Sequence, residues 1–126
     1  MTDKAKILVI EDTKEMIEFI RFILEGDEFD VVAAQGGQEG LDLAQAERPD
    51  LILLDLMMPG ISGWQVYRQL KADDGLKDIP VIVVTARGET ADRVRGLHVA
   101  RVDDYIAKPF TGSELLDSIN HVLGRA

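Results

Sequence analysis

Glu11, Asp12, Asp55, Thr85 and Lys108 each stand where a short apolar run ends, and between them they supply three carboxylates, a hydroxyl and a cation. Ile7-Leu8-Val9-Ile10 runs into Glu11-Asp12, Leu51-Ile52-Leu53-Leu54 into Asp55, Val81-Ile82-Val83-Val84 into Thr85, and Tyr105-Ile106-Ala107 into Lys108-Pro109. Should the three acids converge, each like-charge pair at about 4 Å costs on the order of 4 kcal/mol at an effective dielectric near 20. Relief comes either from a proton, through a raised pKa, or from a divalent cation, and an all-oxygen cluster selects hard Mg²⁺, with Mn²⁺ as the second choice. The cation is the favoured answer. Magnesium characteristically keeps few carboxylates, several waters and a phosphate oxygen, so this sparse ligand set suits a site that handles a phosphoryl group. A carboxylate can then be the nucleophile while the metal and a lysine neutralise the transferred oxygens, which assigns those roles to Asp55, Mg²⁺ and Lys108.

Singly, each residue has a plainer explanation. Asp12 could cap a helix, Asp55 could open the turn at Pro59-Gly60, Thr85 could be a β-branched strand end, and Lys108 could simply precede a turn proline. Jointly, four strand ends carrying an acidic pair, an acid, a hydroxyl and a cation point to one site.

The elements that must bring them together follow from hydrophobic periodicity. Continuous apolar runs of this length suit strands buried on both faces of a parallel sheet, and in such sheets ligands bind outside the carboxyl ends of the strands. Between the runs, Met16, Ile17, Ile20, Ile23 and Leu24 recur at helical spacing up to Gly26. Phe29 to Ala34 reads as a further strand, and Leu41 and Ala44 mark a helix that stops before Pro49. Ser62 with Gln65 and Thr111 with Glu114 are capping-box pairs that open two more helices, the last closed by Gly124. A weaker helix is expected from about 90 to 99, with Val94 and Leu97 or His98 on its apolar side. Five strands alternating with five helices give a doubly wound α/β fold with a parallel, flavodoxin-like sheet of order 2-1-3-4-5.

Composition narrows the function. The 126 residues are long enough for one core, and 46% hydrophobic with 29% charged residues is ordinary for a globular domain. With no cysteine, disulfides, thiolate zinc sites and thiol nucleophiles are excluded. No apolar run reaches membrane-span length and the amino terminus lacks a signal peptide's apolar segment, so a cytoplasmic protein with no membrane partner is expected. The net charge of −9 disfavours direct nucleic-acid binding. Locally, Arg87, Arg93, Arg95 and Arg101 outnumber Glu89 and Asp92, which reads first as a solvated helix face and second as a partner surface. His98 and His121 have no metal-spaced partner and receive no role.

Glu11-Asp12, Asp55 with Met57-Met58-Pro59-Gly60, Thr85-Ala86 and Lys108-Pro109-Phe110 together resemble the receiver domain of two-component response regulators, over essentially the whole chain. The resemblance implies a single receiver domain over 1–126 with no output domain. It implies that Asp55 takes a phosphoryl group from a sensor histidine kinase, a phosphotransfer protein or a small donor such as acetyl phosphate. Asp12, Asp55 and the Met57 carbonyl would hold Mg²⁺, Glu11 would act through water, and Lys108 would pair with the phosphoryl oxygens. Thr85 would donate its hydroxyl, coupled to an inward turn of Tyr105, whose alternative is plain core packing. The face around the fourth helix, fifth strand and fifth helix would then change toward a downstream effector, with homodimerisation on phosphorylation a further option. Lys108-Pro109 resembles the family's cis bond.

Two departures from the family pattern bear on this reading. Arg101-Val102 stands where Gly-Ala is usual ahead of the strand-five acids, which bears on Tyr105's movement. Met57 and Arg87 occupy positions that vary with phosphoryl lifetime, and Arg87 is expected to restrict the attacking water. The domain would catalyse its own phosphorylation and dephosphorylation without turning over an external substrate. The alternatives are a phosphohydrolase with an aspartyl nucleophile, a flavin carrier, or an adaptor with a silent site. The first normally wants a second acid where Met57 sits, and Glu11-Asp12 has the wrong charge for a flavin phosphate loop. Trp64, near Asp55 in sequence, is expected to pack at the start of its helix and to report on metal binding.

Overall fold

Three of the five strands are built from runs of Ile, Leu and Val whose side chains are covered on both sides, and this double coverage is what the centre of a parallel sheet requires. In a computed structural model, described over residues 4–26, 29–86 and 102–124, the strands are β1 (Lys6–Ile10), β2 (Asp30–Ala34), β3 (Leu51–Asp55), β4 (Val81–Ala86) and β5 (Asp104–Lys108). All pairs are parallel and the order is β2-β1-β3-β4-β5, as expected. The described helices are α1 (Lys14–Gly26), α2 (Gly37–Glu47), α3 (Gly63–Ala72) and α4 (Gly112–Val122). The helix expected near 90–99, with the arginine cluster from Arg87 to Arg101, lies outside the described residues.

The sheet separates two cores. On one face α2 and α3 cover Leu8, Ile10, Ile52, Leu54, Val81 and Val83. On the other α1 and α4 cover Ile7, Val9, Leu51, Leu53, Ile82 and Val84. Alternate residues of β1, β2, β3 and β4 go to opposite cores, so these strands are anchored from both sides and cannot slip by one residue without inverting their pattern, whereas the edge strand β5 gives only Ile106 to a core.

The helix ends are where local chemistry predicted them. Ser62 Oγ accepts from the Gln65 N–H at 3.3 Å and Gln65 Oε1 accepts from the Ser62 N–H at 3.0 Å; Thr111 and Glu114 repeat the box at α4 with 3.1 and 2.9 Å. Gly124, at φ 77°, follows α4. Asp12 is not a cap: α1 starts at Lys14, which leaves that carboxylate free for the rim of the sheet.

Candidate functional site

The register of the sheet decides which strand ends meet. Ile10 pairs with Leu54, so Glu11 and Asp55 leave adjacent strands side by side, and Ala86 pairs with Lys108 at the ends of β4 and β5. Carboxylate oxygens of Glu11, Asp12 and Asp55 consequently lie within 4.8 Å of one another. Lys108 reaches into the cluster, its Nζ 2.7 Å from Glu11 Oε1 and 3.6 Å from Asp55 Oδ2. The Lys108-Pro109 bond is cis, as the resemblance implied.

Burial is uneven. Glu11 and Asp55 are only 2% and 3% exposed, whereas Asp12 is half-buried. Burial raises the carboxyl of Asp55, the Glu11 charge adds to the rise, and the Met57 N–H (3.0 Å from Oδ1) and Lys108 only partly offset it, leaving a pKa of about 7. Burial acts on Glu11 in the same direction, but hydrogen bonds from Lys108 and the Thr13 N–H outweigh it and hold Glu11 below the usual carboxylate range. Asp55 is thus poised for the proton route through its raised pKa, while Glu11 is neutralised by an ion pair that the two routes did not include, Lys108 serving Glu11 first.

The donor set fits a hard divalent cation. Three carboxylates meet within 4.8 Å, with one lysine between two of them and one acid whose proton affinity is raised. The Met57 backbone follows Asp55 closely enough for its N–H to bond the carboxylate, and the Met57 side chain is exposed. The sheet places the Thr85 backbone beside Ala107. Tyr105 does not pack in the core: its side chain is 52% exposed, so the alternative of plain packing fails. Arg87 lies outside the described residues. Trp64 is half-buried against the core under α3 and lines an open pocket of about 780 Å³ with Met57, Met58 and Arg68, beside the Asp55 loop.

Two contributors were not singled out from the sequence. Gly63 packs so tightly under the site that a Cβ there would stand 2.3 Å from the Asp55 carbonyl oxygen and 2.5 Å from Leu56 Cα. The Gly63 N–H donates to the Leu56 carbonyl at 3.2 Å, tying the start of α3 to the loop after Asp55. Thr13 donates to Glu11 Oε2 through its N–H (3.1 Å) and its hydroxyl (3.0 Å). The signal for Gly63 was its place just after the Ser62 cap; for Thr13 none existed beyond adjacency to the acids.

A doubly wound parallel sheet binds its ligand outside the carboxyl ends of its strands, and the acidic triad and lysine at that edge form a donor set suited to a divalent cation and a phosphoryl group. The model of the response regulator receiver domain matches residues 7–120, and the chain belongs to that family of phosphorylation-activated signalling switches. It is similar to the phosphate regulon transcriptional regulatory protein PhoB of Escherichia coli K12, at 45% identity over 120 residues covering 95% of this chain and 52% of that protein. It is 40% identical over 124 residues to the DNA-binding response regulator MtrA of Mycobacterium tuberculosis H37Rv, covering 98% of this chain and 53% of that one. The chain thus spans about half the length of the curated relatives it matches. Among solved structures, the receiver domain of sensor histidine kinase PA1611 from Pseudomonas aeruginosa PAO1 superposes with a TM-score of 0.87 at 29% identity, covering 97% of this chain and 99% of that one. That structure has a magnesium ion coordinated in its active-site cleft. Among the described residues, no helix is long and apolar enough to cross a membrane.

Proposed function

We propose that this chain is a single receiver unit that accepts a phosphoryl group on Asp55 from the phosphohistidine of a sensor kinase or phosphotransfer protein, and passes the signal to an effector protein. The observation that carries the reading is the meeting of Glu11, Asp12 and Asp55 within 4.8 Å, with Lys108 2.7 Å from one acid and 3.6 Å from another. Asp12 and Asp55, with the Met57 carbonyl, would hold Mg²⁺, and Glu11 would act through water. When bound, the ion supplies positive charge that keeps Asp55 ionised and screens the phosphoryl oxygens.

In the transfer, an ionised Asp55 oxygen forms a bond to phosphorus while the phosphorus–nitrogen bond of the donor breaks. The electron pair stays on the imidazole nitrogen, which takes a proton. Lys108, already beside Asp55, neutralises the incoming oxygens. The burial that makes ionised Asp55 costly in the resting protein makes every compensating charge in the site more effective.

The switch is proposed to run through Thr85 and Tyr105. The phosphoryl group adds acceptor oxygens that one arrangement of the Thr85 loop satisfies better, shifting a two-state population. The outward Tyr105 ring supports this, since a ring already on the surface can turn inward. The partner-facing surface would comprise β5, α4 and the stretch before them, acting in the cytoplasm, with Arg87 restricting hydrolytic water. The reading is tested by intact mass after incubation with Mg²⁺ and acetyl phosphate: wild type gains one phosphoryl group and Asp55→Asn does not. An unmodified wild type would overturn it.

A further inference from the structure

Glu11 is the hub of the acidic cluster, and its two oxygens are used differently. Oε1 takes the Lys108 ammonium at 2.7 Å, whereas Oε2 takes both the N–H and the hydroxyl of Thr13 at 3.1 and 3.0 Å. The same Lys108 ammonium stands 3.6 Å from Asp55 Oδ2. Its preference for Glu11 over Asp55 therefore depends on how firmly the Glu11 carboxylate is held. We infer that Thr13 is a positioning residue, whose hydroxyl fixes the Glu11 carboxylate so that Lys108 is kept on Glu11 and off the Asp55 nucleophile.

The physical basis is geometric. Thr13 sits in the turn between the acidic pair and α1, and its carbonyl accepts the Ile17 N–H at 3.1 Å, so its backbone is anchored by the helix. An anchored double donor on one oxygen restricts rotation of the Glu11 carboxylate and presents the other oxygen to Lys108. Without the hydroxyl a single N–H remains. Glu11 then has more freedom, and the ammonium can close onto Asp55, pairing with the oxygens needed for the cation and the phosphoryl group. The Thr13 side chain is exposed, so removing its hydroxyl opens no cavity.

This inference rests on the phosphoacceptor reading of Asp55. Its test uses Thr13→Val, Thr13→Ser and wild type in two measurements: Mg²⁺ affinity by calorimetry without phosphodonor, and the rate of phosphoryl adduct formation at saturating Mg²⁺ and acetyl phosphate. Loss of one hydrogen bond of ordinary net strength, donated by the solvent-exposed Thr13 side chain, predicts Mg²⁺ binding weaker by about threefold to tenfold in Thr13→Val and a transfer rate lower by a similar factor. Thr13→Ser, which keeps the donor, should stay within about twofold of wild type. A merely structural effect would lower the melting temperature without separating serine from valine. Thr13→Ala keeps the test if the valine variant does not fold. Equal Mg²⁺ affinity and rate in wild type and the hydroxyl-free variant, or a serine variant as impaired as valine, would overturn the inference. Absence of an adduct on wild type would overturn the phosphoacceptor reading instead, and the Mg²⁺ titration alone would then decide the role of Thr13.

Discussion

The raised pKa of Asp55 makes a quantitative claim about stability. In the unfolded chain its carboxyl titrates near 3.8, and in the folded protein near 7, because burial and the Glu11 charge disfavour ionisation. Between these values the native state binds a proton that the unfolded state has released, so stability falls as pH rises through that window. The difference of about three units corresponds to about 4 kcal/mol at 1.36 kcal/mol per unit, an upper bound reached above pH 7. Asparagine at this position keeps the shape and is never charged. Urea unfolding in chelator should therefore find Asp55→Asn gaining on wild type from about pH 4 upward, by roughly 1.5 kcal/mol at pH 5 relative to strong acid and by as much as about 4 kcal/mol at pH 8. Saturating Mg²⁺ at pH 8 should close the gap by stabilising only the wild type strongly. If the two proteins keep a constant stability difference from pH 5 to pH 8 in chelator, the account of Asp55 as a costly buried charge is wrong.

Lys108→Met keeps the stem but strands Glu11, which is 2% exposed, and should cost about 2 to 3 kcal/mol at neutral pH in denaturant titrations. Because Glu11 is held below its usual pKa, that stability is present above about 4.5 and is lost on acidification, so the penalty should shrink below pH 4.5; a penalty independent of pH would refute the ion pair as its source. Gly63→Ala drives a methyl into the Asp55 carbonyl and should destabilise by about 2 to 3 kcal/mol and weaken Mg²⁺ binding, whereas a neutral melting curve would show that α3 can shift freely. Ser62→Ala removes one capping bond and should lower stability by about 1 kcal/mol with Mg²⁺ affinity unchanged, checked by urea unfolding and calorimetry.

The sheet order, the strand limits and both capping boxes were legible because each rests on local pattern: apolar runs for strands, helical spacing for α1, and hydroxyl–carboxamide or hydroxyl–carboxylate pairs three residues apart at α3 and α4. That Glu11, Asp12 and Asp55 share one volume was also readable, since parallel strands deliver their ends to the same edge. Less visible was how the charges are shared. Opposite fates for Glu11 and Asp55, one held ionised and the other raised to about 7, depend on a 2.7 Å contact rather than a 3.6 Å one. Tyr105 could be read from the sequence as a switch aromatic or as plain core packing, and only the tertiary structure shows that it is exposed.

Residue types and spacing along the chain were therefore enough to specify a doubly wound sheet, its carboxyl-edge acids and the lysine opposite them, because backbone pattern and chirality leave few other topologies. The partition of Lys108 between two acids, the clamp of Thr13 on Glu11 and the close seat of Gly63 on the Asp55 carbonyl were settled by three-dimensional packing alone. Those contacts join residues as far apart as Glu11 and Lys108, and their energies turn on fractions of an ångström and on burial, quantities that no linear spacing encodes.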